Sequence, residues 1–189
     1  MSLKAWKILG SKYLIKRNGM AVRIDQCETS NGIIFESYII ECGTWVNVIA
    51  LTKKREVLLI KQYRHGAGKV LLEIPAGVMD EADESPEQAA RRELLEETGY
   101  TSDRFIEVGS IYPNPATHNN MTYSFLALDV EPVSQQNLDE TEEIEVSLVP
   151  FDEFISLAKE GGLPQALHIS ALFFALAYLE RSSQIHGPA

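Results

Sequence analysis

The rhythm of apolar and polar positions changes once, sharply, near residue 80. Before it, runs rich in β-branched and aromatic residues predict strands at Lys12–Arg17, Gly32–Cys42, Trp45–Thr52, Glu56–Arg64 and Val70–Ile74. Polar breaks separate these runs. Ser30-Asn31-Gly32 suits a hairpin turn, because Asn and Gly tolerate positive φ, and Thr52–Glu56 is a second polar turn. From Ser85 to Thr98 the pattern becomes helical. Ser85 is a natural N-cap, Pro86 fits the first turn and Gln88 completes a capping box. Gly99 stands where a left-handed C-cap belongs. Strands resume at Phe105–Tyr112, Thr122–Val130 and Glu143–Pro150. Two helices close the chain near Phe151–Glu160 and Pro164–Arg181, the second apolar through Leu167, Ala171, Phe174 and Leu179. The pattern predicts an α+β protein, a mixed sheet plus helices, with a seam near Cys42–Gly43. A strand-rich arm (residues 1–43) then precedes the main domain (residues 44–189).

Composition narrows the chemistry. A chain of 189 residues suits one domain with a small appendage. The net charge of −10 argues against a general nucleic-acid binder, which needs a basic face. It leaves an anionic small molecule open, because a metal ion can bridge two anions. No apolar run approaches the roughly 18 residues of a membrane span. Met1–Lys4 carries no signal-peptide core, so a cytoplasmic protein is expected. Cys27 and Cys42 lie outside any CxxC pattern and read as reduced thiols, with a single disulfide as the alternative.

The helix over Ser85–Thr98 is densely acidic. Glu93, Glu96 and Glu97 at i, i+3 and i+4 share one face, where like charges repel. One reading is a solvated face relieved by Arg92, four residues before Glu96. The other is a cation site. Ala89, Ala90 and Leu94 dock the helix on something, and Pro75-Ala76-Gly77 can aim a backbone carbonyl at the carboxylates. Oxygen donors without histidine suit Mg²⁺ or Mn²⁺ rather than zinc or a histidine-rich di-iron centre.

These residues resemble the Nudix box, G-x5-E-x7-R-E-U-x-E-E-x-G-U, where U is a bulky aliphatic residue. Arg92-Glu93-Leu94-Leu95-Glu96-Glu97-Thr98-Gly99 fits without a gap, and Glu84 lies seven residues before Arg92. Tyr100 replaces the last aliphatic. Six residues rather than five separate Gly77 from Glu84. Either the Val78–Asp83 loop is one residue longer, the preferred reading, or Asp83 stands in for the first acid.

The resemblance implies an α/β/α sandwich and hydrolysis of a nucleoside diphosphate linked to another group. The flanking Glu73–Gly77 and Ile60–Arg64, with the arm, look like the ADP-ribose pyrophosphatase branch, in which two chains exchange N-terminal arms to form a homodimer. Carried over residue by residue, Glu93, Glu97 and the Ala76 carbonyl would hold Mg²⁺ or Mn²⁺. Glu84 and Glu96 would complete the cage or act through water, and Arg92 would brace it. The general base would come from Leu138–Val146, as Glu142 or Glu140. Arg64 and Glu73 would meet the diphosphate or its sugar, with a strand-end ion pair as the alternative for Arg64. Trp6 and Phe35 would stack on the base, unless Phe35 is simply a core residue. Asn114-Pro115-Ala116 replaces the branch's Ser-Pro-Gly, and this loop, with His118, could read the sugar or the terminal phosphate, unless it is an ordinary surface loop. ADP-ribose, cleaved to AMP and ribose 5-phosphate, is the expected substrate. GDP-mannose or another nucleotide sugar is an alternative, and so is a nucleotide sensor without catalysis.

Overall fold

A computed structural model describes residues 4–185. The terminal residues outside that range include His186. The chain divides into two compact units. The first joins the residues up to Thr44 with Tyr112–Met121, and the second joins Trp45–Ile111 with the residues from Thr122 onward.

In the first unit, β1 (Lys7–Arg17), β2 (Met20–Glu28) and β3 (Ile34–Cys42) form an antiparallel sheet in sequence order. β1 starts five residues before the predicted strand Lys12–Arg17, and β2 lies where the pattern predicts no strand. Arg23 and Asp25 share one face of β2 and bond to each other at 2.8 and 3.0 Å. Two charged residues at inward positions disguise the strand's alternation. Gly32 adopts φ +80° in the following turn, as its position required. The Tyr112–Met121 segment docks on β3, with Ile40 N–H donating to the Thr117 carbonyl at 2.7 Å.

The second unit holds β4 (Trp45–Leu51), β5 (Glu56–Arg64), β6 (Lys69–Glu73), β7 (Ala76–Val78), α1 (Pro86–Thr98), β8 (Tyr100–Thr101), β9 (Arg104–Ile111), β10 (Thr122–Leu128), β11 (Glu131–Pro132), β12 (Ile144–Pro150), α2 (Phe151–Lys159) and α3 (Ala166–Ile185). The main sheet runs β12-β5-β4-β10-β9, mixed because β4 and β10 are parallel. It is sandwiched between helices, as expected. Val46, Val48, Ala50, Leu58, Phe125 and Ala127 pack against Ala89, Ala90 and Leu94 of α1. Ile49, Leu51, Val57, Leu59 and Leu126 pack against α2 and α3 on the other face. Burial on both faces explains why β4 reads as a near-continuous apolar run.

One feature of the sheet creates the site. β4 and β5 pair only at Leu51–Val57 and then part. β6 fills the gap along β5, and β7 along β4. Gly77 pairs with Val46, so position 77 faces α1, while Ala76 pairs with Asn47 on the opposite face.

Candidate active site

α1 is placed by its caps. The Ser85 hydroxyl accepts from Gln88 N–H at 3.2 Å, and Gly99, at φ 74°, donates to the Leu95 carbonyl at 2.8 Å. With the apolar face docked, Glu93 and Glu97 turn toward β7. Glu97 is 2% exposed and accepts from Ala76 N–H at 2.9 Å. Burial pushes its pKa up to about 9, against the pull of that hydrogen bond, and the charges of Glu93 and Glu142 add to the rise. Burial likewise lifts Glu93 to about 7, opposed by Arg92. A Cβ on Gly77 would overlap the Glu93 carboxylate, so glycine is what admits that side chain.

Arg92 is the brace. It bonds to Glu96 at 2.9 Å, to Asp83 at 3.0 Å and to the Val78 carbonyl at 2.9 Å, and lies 2.9 Å from Glu93. Burial disfavours its charge, but the Asp83 bond and the surrounding carboxylates outweigh this and hold the guanidinium charged. Arg64 forks onto the fully buried Glu73, with Nη2 2.6 Å from Oε2. That bond, with the charges of Glu97 and Glu142, raises the Arg64 pKa.

A cavity of about 280 Å³ opens between β7, α1 and the 137–142 loop. Its walls include Arg64, Ala76, Gly77, Arg92, Glu93, Glu96, Glu97 and Glu142. Seven sequence-predicted residues thus meet there together with Gly77. Glu73 stands behind Arg64 rather than in the wall. Glu140 is exposed and is not among the lining residues. Glu84 stays at the surface, its backbone N–H bonded to Gln88, while the buried Asp83 takes the contact with Arg92. The Gly77-x5-Asp83 spacing was the signal for Asp83. Trp6 and Phe35 lie in the first unit, packed edge to face with centroids 5.3 Å apart rather than as a parallel slot. His118 also belongs to that unit, its backbone bridged to Ile40. Gln62, Asn137 and Asp139 line the cavity and were not anticipated.

The donor set fits a hard divalent cation. Glu93, Glu97 and Glu142 repel one another in a recess that burial makes costly for charge, and among the described residues the lining contains neither His nor Cys. Among the described residues no three carboxylate, His or Cys side chains already converge on one point. Glu93 is drawn to Arg92 and Glu97 to Ala76 instead.

A family model of the NUDIX domain matches residues 44–172, which include this entire cavity. The chain belongs to the Nudix family. It is a Nudix hydrolase, similar to the ADP-ribose pyrophosphatase branch that the flanking residues suggested. It is 26% identical over 175 residues to an ADP-ribose pyrophosphatase of Bacillus subtilis, covering 92% of each chain. It is 28% identical over 171 residues to a GDP-mannose pyrophosphatase of Cronobacter sakazakii, covering 85% of this chain and 86% of that one. The crystal structure of an ADP compounds hydrolase superposes with a TM-score of 0.83 at 23% identity, covering 96% of this chain and 98% of the other, which shows the Nudix fold. No helix among the described residues is long and apolar enough to cross a membrane.

Proposed function

We propose that this Nudix hydrolase splits the diphosphate of a nucleoside diphosphate sugar, with ADP-ribose, giving AMP and ribose 5-phosphate, as the first choice. The observation that carries this reading is the recess in which Arg64 and Arg92 stand beside Glu93, Glu97 and Glu142. Bound by Glu93, Glu97 and the Ala76 carbonyl, Mg²⁺ (or Mn²⁺) would link the diphosphate to the carboxylates and acidify the attacking water.

The chain's own residues supply the rest. Arg64, held by Glu73, orients the diphosphate through its planar fork. Arg92 fixes Glu93 and Glu96 and ties the loop before α1 to the helix. Glu142 accepts the proton as water attacks one phosphorus and the P–O–P bond breaks, leaving two monophosphates.

The similarity to the GDP-mannose pyrophosphatase and the Asn114-Pro115-Ala116 sequence favour GDP-mannose as the second reading. We further infer a homodimer with exchanged arms. All eleven residues of β1 are exposed, including Tyr13 and Ile15, which pair with the consecutive Arg23 and Val22 and so lie on opposite faces of the sheet. Such apolar exposure on both faces suits cover by a second copy. In that dimer Trp6 and Phe35 would serve the base. The free thiols of Cys27 and Cys42 support a reducing, cytoplasmic setting.

The test is incubation of the purified chain with ADP-ribose, GDP-mannose and other nucleoside diphosphate sugars in the presence of Mg²⁺, with monophosphate products measured. Turnover of ADP-ribose above the others supports the first choice. No turnover of any member contradicts the reading.

A further inference from the structure

A second cavity, of about 320 Å³, is lined by Trp45, Asn47, Thr122, Gln165 and Leu167. It shares Arg64 and all of β7 with the carboxylate cavity. Asn47 pairs with Ala76 and lies on the α3 face of the sheet, where its Nδ2 donates to the Leu167 carbonyl at 3.4 Å.

The wall of this cavity carries buried polar atoms without hydrogen-bond partners. Asn47 and Thr122 are each 1% exposed, and neither Asn47 Oδ1 nor Thr122 Oγ1 is bonded. The hydroxyl of Ser124, which pairs with Asn47, and both ring nitrogens of His168, next in the chain to Leu167, are equally unanswered. Buried polar groups in folded proteins are nearly all bonded, so a cluster of exceptions calls for a reason. The strand register makes the anomaly sharper. On this face β4 and β10 pair Ile49 with Leu126 and Leu51 with Leu128, apolar on apolar. One step toward β7 the pairs become Asn47–Ser124 and Trp45–Thr122. Polarity appears where the cavity opens.

We propose that this cavity receives the sugar half of the nucleoside diphosphate sugar and that Asn47 and Thr122 are specificity-determining residues that bond its hydroxyls. The inference rests on the proposed function. Sugar hydroxyls both donate and accept, so they answer a carboxamide oxygen and a threonine hydroxyl alike. Among the described residues Arg64 is the only charged side chain in the lining, which suits a neutral polyhydroxyl group attached to a diphosphate held beside that arginine.

The experiment compares kcat/KM for ADP-ribose and for the methyl ester of ADP, which keeps the diphosphate and lacks the sugar. Thr122→Val is nearly isosteric and removes an unbonded hydroxyl, so its melting temperature should hold or rise. Its kcat/KM for ADP-ribose should fall roughly tenfold while that for the methyl ester holds, since losing one hydrogen bond costs about that much. Asn47→Leu should shift the ratio in the same direction. A folding defect lowers both substrates together and leaves their ratio unchanged. An unchanged ratio in both variants overturns the assignment while wild-type turnover of ADP-ribose leaves the proposed function standing. Absence of any wild-type turnover of a nucleoside diphosphate sugar defeats the proposed function and this inference with it.

Discussion

Arg92 and Asp83 are joined by two hydrogen bonds, Nη2 to Oδ2 at 3.0 Å and Nε to Oδ1 at 3.3 Å. Asp83 is buried, and Arg92 holds its carboxyl below the usual range. Its exposed neighbour Glu84 makes no such contact with Arg92. Asp83→Ala should therefore cost about 1–3 kcal/mol of stability, the range for a lost buried charge-assisted bond. Glu84→Gln should stay within about 0.5 kcal/mol. Urea unfolding of the two variants side by side checks this, and kcat should fall in the first and hold in the second.

Gly77 leaves the space that the Glu93 carboxylate fills. Gly77→Ala pushes aside a flexible side chain rather than backbone, so stability should change little. Activity should fall by about 10²-fold, as expected when a catalytic group is displaced by an ångström or so. Kinetics and a melting curve on the same preparation separate the two effects.

Arg64 and the fully buried Glu73 form a partly buried pair. Arg64→Ala strands a buried carboxylate. It should destabilise the fold by on the order of 3 kcal/mol, as well as raise KM, whereas an arginine serving substrate alone would leave stability unchanged. Denaturant midpoints of this variant and of Arg64→Lys measure it.

His168 is fully buried, and burial, helped by the charge of Arg64, lowers its pKa to about 3. It is neutral in the folded chain and charges on unfolding at about pH 6.5. The stability it contributes is complete above about pH 6.5 and is lost as the pH falls toward 3, by at most about 1.4 kcal/mol per pH unit. Urea midpoints between pH 4 and 7.5 should fall more steeply for the wild type than for His168→Leu.

The helix that carries the acids was legible because its signals are local. Ser85, Gln88, Gly99 and the i, i+3, i+4 spacing depend only on the helix itself. The choice between Asp83 and Glu84 was not local. It turns on the path of the 78–83 loop, where Asp83 also accepts from Asp80 N–H at 2.8 Å. The opening of β4 from β5 was hidden for a related reason. A strand shows its burial in its pattern but not the residue at which its neighbour leaves. Asn47 and Ser124 interrupt apolar runs, and only the register shows them side by side. Glu73 enters as a substrate contact only through the family resemblance, and the pairing of β6 with β5 buries it under Arg64.

Glu97 is central to the account, buried at the junction of β7 and α1 and bonded to Ala76. Magnesium-dependent hydrolysis of ADP-ribose by Glu97→Gln, measured against the wild type together with the rise in melting temperature that Mg²⁺ produces in each, tests its role directly. The account predicts that the variant stays folded and loses both the turnover and the Mg²⁺-induced rise. A folded Glu97→Gln chain that keeps wild-type Mg²⁺-dependent turnover would contradict it.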